Sequence, residues 1–406
     1  MDSNPVPAVS PTQQQSIVKC KKCHTNEATL LSRAQLVCRN CFTKFITTKC
    51  VKQIGILGKE TKPAPSREGT GPPSRKYLLG LSLGPSSTTL LHLLHENVEY
   101  QLAKGNNAPF DLIVVHISSS SSPEATILEK YQTRYPHFSF QTHPLSEALA
   151  LPAINWQYIL PSSSSAPQTL EELFTILPSN SQASRADITN LLTRHLLLSL
   201  AVSTNAQALL LGHSTTAIAE LTLSEAAKGR GFSLPWQIND GLFNAGEDGE
   251  KKMLVFHPLR DILRKEIVTY TTLTSPPLTD LIPQDDPSFD SINGNGNGQK
   301  SVVSHKDLSI EEVMSRYFAD VEENYPSVVA NVARTAGKLV RLVSGNEDGK
   351  GEQGSCALCR MPMDGEGDER WRGELGPDET ALTTTTTSTR PGGGKLCYGC
   401  ERSTVG

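Results

Sequence analysis

Two pairs of cysteines limit what the first fifty residues can become. Cys20-x2-Cys23 is followed, after fourteen residues, by Cys38-x2-Cys41, and the pattern returns near the other end as Cys356-x2-Cys359, thirty-seven residues, and Cys397-x2-Cys400. Segments this short bury too little apolar surface to fold alone. Two such knuckles deliver four thiolates in the number and spacing that tetrahedral zinc takes, and a structural zinc contributes on the order of 10 kcal/mol of folding free energy. A zinc ribbon is therefore expected over 18–55, with Cys20, Cys23, Cys38 and Cys41 as ligands. A second zinc-binding module is expected over 346–406, with Cys356, Cys359, Cys397 and Cys400 as ligands. It carries a low-complexity insertion that includes the threonine run 383–387 and the glycines 392–394. Scattered free or redox-active thiols are the competing explanation. The ninth cysteine, Cys50, is expected to be an ordinary, partly buried thiol.

Charge is distributed as unevenly as the cysteines. Between residues 18 and 52 stand Lys19, Lys21, Lys22, Arg33, Arg39, Lys44, Lys49 and Lys52 against one acid, Glu27, while the 406-residue chain as a whole carries a formal charge of −4. The whole molecule is no polycation. Its ribbon is basic enough to neutralise phosphates, and Lys19, Lys21, Lys22, Lys44 and Lys49 are the candidate phosphate contacts; the bland alternative is a solvated face without a partner. No run approaches the roughly 18 to 20 uninterrupted apolar residues of a membrane span, and the opening MDSNPVPAVSPTQQQ lacks the charged and apolar regions of a signal peptide. A cytoplasmic, soluble chain with no membrane partner is expected, beginning with a disordered tail over 1–17.

Pro63, Pro65, Pro72 and Pro73 mark a linker over 56–75. An α/β domain is expected over 76–282. Its strand candidates are the short apolar runs 77–83, 112–117, 208–211 and 253–256, separated by helix-length segments such as 187–203, which argues for a parallel sheet. The Asn-Gly repeat 293–298 lies in a flexible insertion over 283–305. A helical segment follows over 306–345. Ser309 and Glu312 form a capping box, and Ile310, Val313, Met314, Tyr317, Phe318 and Val321 share one face before Pro326 stops the run, so this helix should dock on the core.

The stretch KYLLGLSLGPSSTTLLHLLHE (76–96) reads as strand, tight turn and helix, a layout that grips nucleotide phosphates. Its turn resembles the S-G-G-x-D-S loop of the ATP pyrophosphatase family. Ser82, Gly84 and Ser87 match, whereas Leu83 stands at a glycine position and Ser86 at the aspartate. The leucine brings a side chain to a point of close backbone approach, and Ser86 removes a carboxylate, so both count against ATP binding. An ordinary serine-capped βα turn explains the same residues.

Three further stretches, LLLGHSTTAIAELTLSEAAKGRGFSLPW (209–236), HPLRDILRKEI (257–267) and YFADVEENYPSVVANVARTAGKL (317–339), resemble the cytoplasmic tRNA 2-thiolation protein 2 family, with likeness over most of the chain from Cys20 to Cys400. The resemblance implies a degenerate ATP-pyrophosphatase fold (PP-loop, adenine nucleotide alpha hydrolase-like) with zinc ribbons at both ends. It implies a subunit needed for 2-thiolation of the wobble uridine (5-methoxycarbonylmethyl-2-thiouridine) in tRNA Lys, Glu and Gln. The implied partners are a catalytic thiolase subunit in a heterodimer, tRNA, and a thiocarboxylated ubiquitin-related modifier as sulfur carrier. In the catalytic relatives a cysteine motif opens the region that here reads SRADITNLLTRHLLLSLA (184–201), and their G-H-N-A-D-D stretch appears here as residues 212–217, with Thr216 and Ala217 at the two acidic positions. The main domain holds no cysteine at all. These departures imply no catalytic residues: a pseudo-enzyme that contributes tRNA binding or complex stability. Arg230 and the Arg260, Arg264 and Lys265 group are further candidate RNA contacts, while His213, His257 and Trp236 are expected to be hydrogen-bonding or packing residues. Two other readings stay open, an active ATP-dependent tRNA-modifying enzyme and a zinc-dependent adaptor in a ubiquitin-like pathway.

Overall fold

The computed structural model of the protein describes residues 18–62, 74–118, 123–160, 166–177, 181–245, 251–283, 308–341, 355–363 and 396–405. The expected tail 1–17, the prolines of the linker, nearly all of the 283–305 insertion and the threonine and glycine runs of the C-terminal module lie outside these residues.

The chain opens with a hairpin, β1 (Leu30–Ser32) and β2 (Gln35–Val37), in the register Leu30 opposite Val37. Its two turn residues, Arg33 and Ala34, both hold left-handed backbone (φ 46° and 64°), the geometry that matches the twist of a two-residue hairpin. Helix α1 (Arg39–Glu60) follows directly. It runs five residues past the expected end of the ribbon, because Phe42, Ile46, Cys50, Gln53 and Leu57 recur at helical spacing and are buried. The ribbon is thereby welded to the main domain rather than strung from a linker starting at residue 56.

The core alternates β3 (Lys76–Gly80), α2 (Pro85–Ala103), β4 (Asp111–Ser118), α3 (Pro123–Arg134), β5 (Ser139–Pro144), α4 (Leu170–Ile176), α5 (Gln182–Ser203), β6 (Ala208–Leu210), α6 (Thr215–Ala227), α7 (Leu234–Ile238), β7 (Gly241–Asn244), β8 (Lys252–Phe256) and α8 (Arg264–Leu273). The six strands stand in the order β5-β4-β3-β6-β8-β7, parallel except for β7. The expected parallel sheet is present, with its four apolar runs at the centre. Both faces are covered, so these strands are apolar at consecutive positions. Tyr77, Leu79, Val114, Leu210 and Phe256 face one layer, with α1, α2 and α8; Leu78, Val115, Leu209 and Val255 face the other, with α5. The two edge strands, β5 and β7, carry mixed sequences (SFQTHP and GLFN) and gave no periodic signal.

Two further helices, α9 (Ile310–Asn324) and α10 (Pro326–Ala336), form a hairpin against α6. The capping box is present as expected: Glu312 N–H donates to Ser309 Oγ at 3.2 Å, and Ser309 N–H to Glu312 Oε2 at 3.0 Å. Phe318 is fully buried, but Tyr317, expected on the same inner face, is 51% exposed. The inner stripe is set by Phe318 and Glu322, four residues apart, and Pro326 both stops α9 and starts α10.

Candidate metal centres, phosphate loop and nucleic-acid interface

Both sets of four cysteines converge. In each, one sulfur atom from every residue lies within 4.8 Å of all the others. The Cys23 and Cys38 sulfurs are 3.8 Å apart, and those of Cys359 and Cys397 are 3.9 Å apart. Four sulfurs at about 2.3 Å from a tetrahedral ion would stand about 3.8 Å from one another. The two knuckles are built alike. The residue after the second cysteine, His24 or Arg360, holds left-handed backbone (φ 58° and 61°), and its N–H donates to the carbonyl of the first cysteine at 2.9 and 3.0 Å. Lys22 N–H points at Cys20 Sγ (3.4 Å), and Cys397 N–H at Cys356 Sγ (3.3 Å). In both sets the second pair straddles a helix N-terminus, where the helix dipole favours thiolate. Four thiolates this close repel strongly, and a divalent cation removes the repulsion; an all-sulfur tetrahedral set suits zinc or iron. Cys50 belongs to neither set. It is fully buried rather than partly so, and burial pushes its thiol up to about 12, which leaves it neutral and inert.

The two centres lie on opposite faces of the sheet. Cys20 and Cys38 join the layer of α1, α2 and α8, and Cys356, Cys359 and Cys400 join the layer of α5. The N-terminal ribbon is fixed by α8: Arg33 Nε donates to Glu266 Oε1 at 2.8 Å, Arg33 Nη2 to Glu266 Oε2 at 3.0 Å, and Arg39 to the Leu273 carbonyl. The C-terminal centre is fixed by α5, where the buried His195 donates from Nε2 to the Leu358 carbonyl at 2.7 Å; burial holds this imidazole down to about 4 and so keeps it neutral.

The loop after β3 is a tight turn that leads straight into α2. Leu83, at the glycine position, has φ 64°, and its side chain is buried in the core. Ser82 Oγ lies 3.1 Å from Ser87 Oγ, Ser87 Oγ donates to the Gly84 carbonyl at 3.2 Å, and Ser86 is half-buried beside them. The Ser82 and Ser87 hydroxyls are engaged within the loop. The β6–α6 turn presses against it, since a methyl group on Gly212 would stand 2.9 Å from the Ser87 nitrogen. In that turn Thr216 is fully buried; it donates to Glu322 Oε2 at 3.0 Å and accepts from Arg264 N–H at 2.9 Å. Glu322 in turn accepts from Lys265 N–H at 2.9 Å, so this pair closes the N-terminus of α8 onto α9.

A family model described as "Cytoplasmic tRNA 2-thiolation protein 2" matches residues 309–402. A protein of that name from Phaeosphaeria nodorum is 35% identical over 393 residues, covering 95% of this chain and 94% of its own, and one from Sclerotinia sclerotiorum is 38% identical over 330 residues, covering 79% and 82%. The chain belongs to this family. Among solved structures it is similar to the U34-tRNA thiolase NcsA from Methanococcus maripaludis with its [4Fe-4S] cluster, at a TM-score of 0.52 and 14% identity, covering 87% of this chain and 96% of that one. This likeness carries the expected ATP-pyrophosphatase-type α/β fold.

Within that fold the basic residues separate into two groups. Lys19, Lys21, Lys22 and Lys44 are exposed on the ribbon and α1, and Lys49 is half-buried with its ammonium 5.9 Å from the Phe45 ring centre. Arg230 is different. It is 3% exposed, donates to both oxygens of Asp187 at 2.8 and 2.5 Å, and points Nη2 at Cys400 Sγ at 3.5 Å. A guanidinium so enclosed does not reach a phosphate, and the expected tRNA contact there is withdrawn. The Arg260, Arg264 and Lys265 group is also engaged internally, with Asp240 (2.7 Å), Glu220 and the Glu322 carbonyl (2.7 Å). His257 meets expectation, with Nδ1 2.8 Å from Asp240 Oδ1. His213 does not: its Nδ1 is buried without a hydrogen-bond partner, edge-on to His257, and burial pushes it down to about 3. Trp236 packs against the layer of α5 as expected. The interior role of Arg230 left no trace in the sequence, because its partners stand 43 and 170 positions away.

Proposed function

We propose that the chain is a non-catalytic subunit of a cytoplasmic tRNA 2-thiolation complex, needed for 2-thiolation of the wobble uridine of tRNA Lys, Glu and Gln. A catalytic thiolase of related fold is its heterodimer partner, and the sulfur arrives on a thiocarboxylated ubiquitin-related modifier. One observation carries the pseudo-enzyme reading. Where the catalytic relatives keep acidic groups this chain has Ser86, Thr216 and Ala217; Thr216 is buried and ties α6 to α9, and Leu83, at a glycine position of the loop, packs into the core. The main domain also supplies no cysteine to carry sulfur. The loop therefore binds ATP weakly or not at all.

The two cysteine sets hold structural zinc in this reading. Cys20, Cys23, Cys38 and Cys41 would hold one ion, and Cys356, Cys359, Cys397 and Cys400 the other; bound zinc supplies charge neutralisation and cross-linking, with no open coordination position for chemistry. The ribbon presents Lys19, Lys21, Lys22, Lys44 and Lys49 to the tRNA backbone. This deepens affinity without selecting sequence, as phosphate contacts do. The test is genetic and chemical together. In a strain lacking the protein, wobble 2-thiouridine measured by mass spectrometry of digested tRNA should vanish and return with the wild-type chain. The tagged chain should co-purify with a second, cysteine-bearing homologue. Undiminished thiouridine in the deletion strain overturns the assignment.

A further inference from the structure

Arg230 and its neighbours form the densest set of buried charge among the described residues. Asp187 on α5 accepts from Arg230, from Lys228 Nζ at 2.8 Å and from Ser403 Oγ at 2.6 Å. Lys228 also donates to Glu225 Oε1 at 2.9 Å and to Glu311 in the first turn of α9. Glu225 accepts in addition from Gln237 Nε2 at 2.8 Å. The side chains of Asp187, Glu225, Lys228 and Arg230 are all less than 10% exposed. Three carboxylates converge here, and the cation among them is the Lys228 ammonium, so they need no metal. The other end of the network is the C-terminal cysteine centre. Arg230 Nη2 lies against Cys400 Sγ, and Ser403, one turn along the C-terminal helix Tyr398–Val405, holds Asp187. Backbone contact is equally close, since a methyl group on Gly399 would stand 2.6 Å from the Lys228 carbonyl.

We infer that the C-terminal metal centre locks the first turn of α9 to the core, acting through Cys400, Arg230, Asp187, Lys228 and Glu311 in turn, while the Thr216–Glu322–Lys265 tie holds the far end of that helix. This rests on the reading that the four cysteines hold a metal. The physical argument concerns water. Residues 355–363 and 396–405 are two short pieces that pack Leu358, Met361 and the cysteines against the α5 layer, and among the described residues they meet each other at the four sulfurs, so the metal is what ties one piece to the other. When they leave, the lid over Arg230 and Asp187 leaves with them. Charges that were stable because they were dry and paired become hydrated, and their mutual attraction falls severalfold in the higher dielectric. Lys228 then holds Glu311 only as a surface lysine would, and α9 loses the ion pair at its first turn. The N-terminal centre lies on the opposite face of the sheet, and its route to α9 runs through α8, from Arg33 to Glu266 and from Lys265 N–H to Glu322, with no ion pair that the cysteine-bearing segments keep dry.

The test is hydrogen exchange of the α9 amides in the full-length protein, paired with metal content by elemental mass spectrometry. Wild type should hold two ions per chain. Cys400→Ser and Cys41→Ser should each lose one, but only Cys400→Ser should expose α9, with exchange faster by at least about tenfold. Lys228→Met guards against simple misfolding: it should keep both ions and still show faster exchange in α9. If wild type carries no ion at the C-terminal set, the metal reading fails. If Cys400→Ser loses its ion while α9 stays as protected as in wild type, or Lys228→Met leaves α9 unchanged, the coupling is overturned and the metal reading stands.

Discussion

Leu83 shows how a nucleotide loop is kept as architecture. A leucine at φ 64° costs about 1 kcal/mol relative to glycine, and its burial in the core outweighs that cost. Leu83→Gly relieves the backbone but leaves a cavity, so the variant should be less stable by about 1–3 kcal/mol in urea titration. Thr216 makes the complementary case. Thr216→Asp restores the acidic residue of the catalytic relatives but sets a second carboxylate beside the buried Glu322, whose own pKa burial already raises. The expected loss is about 2–4 kcal/mol at neutral pH, recovering as the pH is lowered and Glu322 takes up a proton. At this scale the sequence was informative wherever a residue departed from a motif, as at 83, 86, 216 and 217. It was silent wherever a charge had been turned inward. Nothing in Gly-Arg-Gly distinguishes a buried Arg230 from an exposed one, because burial is decided by Asp187 and Cys400.

Among the elements, α5 was legible from its apolar repeat, while β5 and β7 were not, since an edge strand with one open side need not be apolar. Helix α1 carries the ribbon past residue 55, where the linker is expected to begin. Its inner stripe continues through Leu57, whereas the linker is read from Pro63, Pro65, Pro72 and Pro73, which do not mark where the preceding helix ends. The seat of the C-terminal centre on α5 has a pH signature. His195 titrates at about 4 in the folded chain and at about 6.5 when unfolded. Its folded pKa is depressed, so the unfolded state binds the proton first. Its contribution is complete above about pH 6.5 and is lost as the pH falls toward 4, at about 1.4 kcal/mol per pH unit. Urea unfolding of wild type and His195→Gln, which keeps a donor for the Leu358 carbonyl, should differ by that slope between pH 6 and 4. Parallel stability curves would exclude His195 as the titrating group.

The molecule as a whole is a two-faced sheet with a cysteine centre inlaid on each side. The cysteine spacings announced both centres, and the charge map announced the basic ribbon. That the ribbon is fused to α8 through Arg33 and Glu266 required the fold. Its exposed lysines should act additively on RNA. Replacing Lys21, Lys22 and Lys44 with glutamine should weaken tRNA binding for all sequences alike and lower the slope of log affinity against log salt by about 2–3, measured by filter binding or fluorescence anisotropy. The central claim is that this fold keeps the scaffold of a thiolase without its chemistry. It is tested most directly by incubating the purified chain, with no partner present, with ATP, a sulfur donor and unmodified tRNA Lys, and measuring pyrophosphate and 2-thiouridine. The account predicts neither product until the cysteine-bearing partner is added. Thiouridine formed by this chain alone would contradict it.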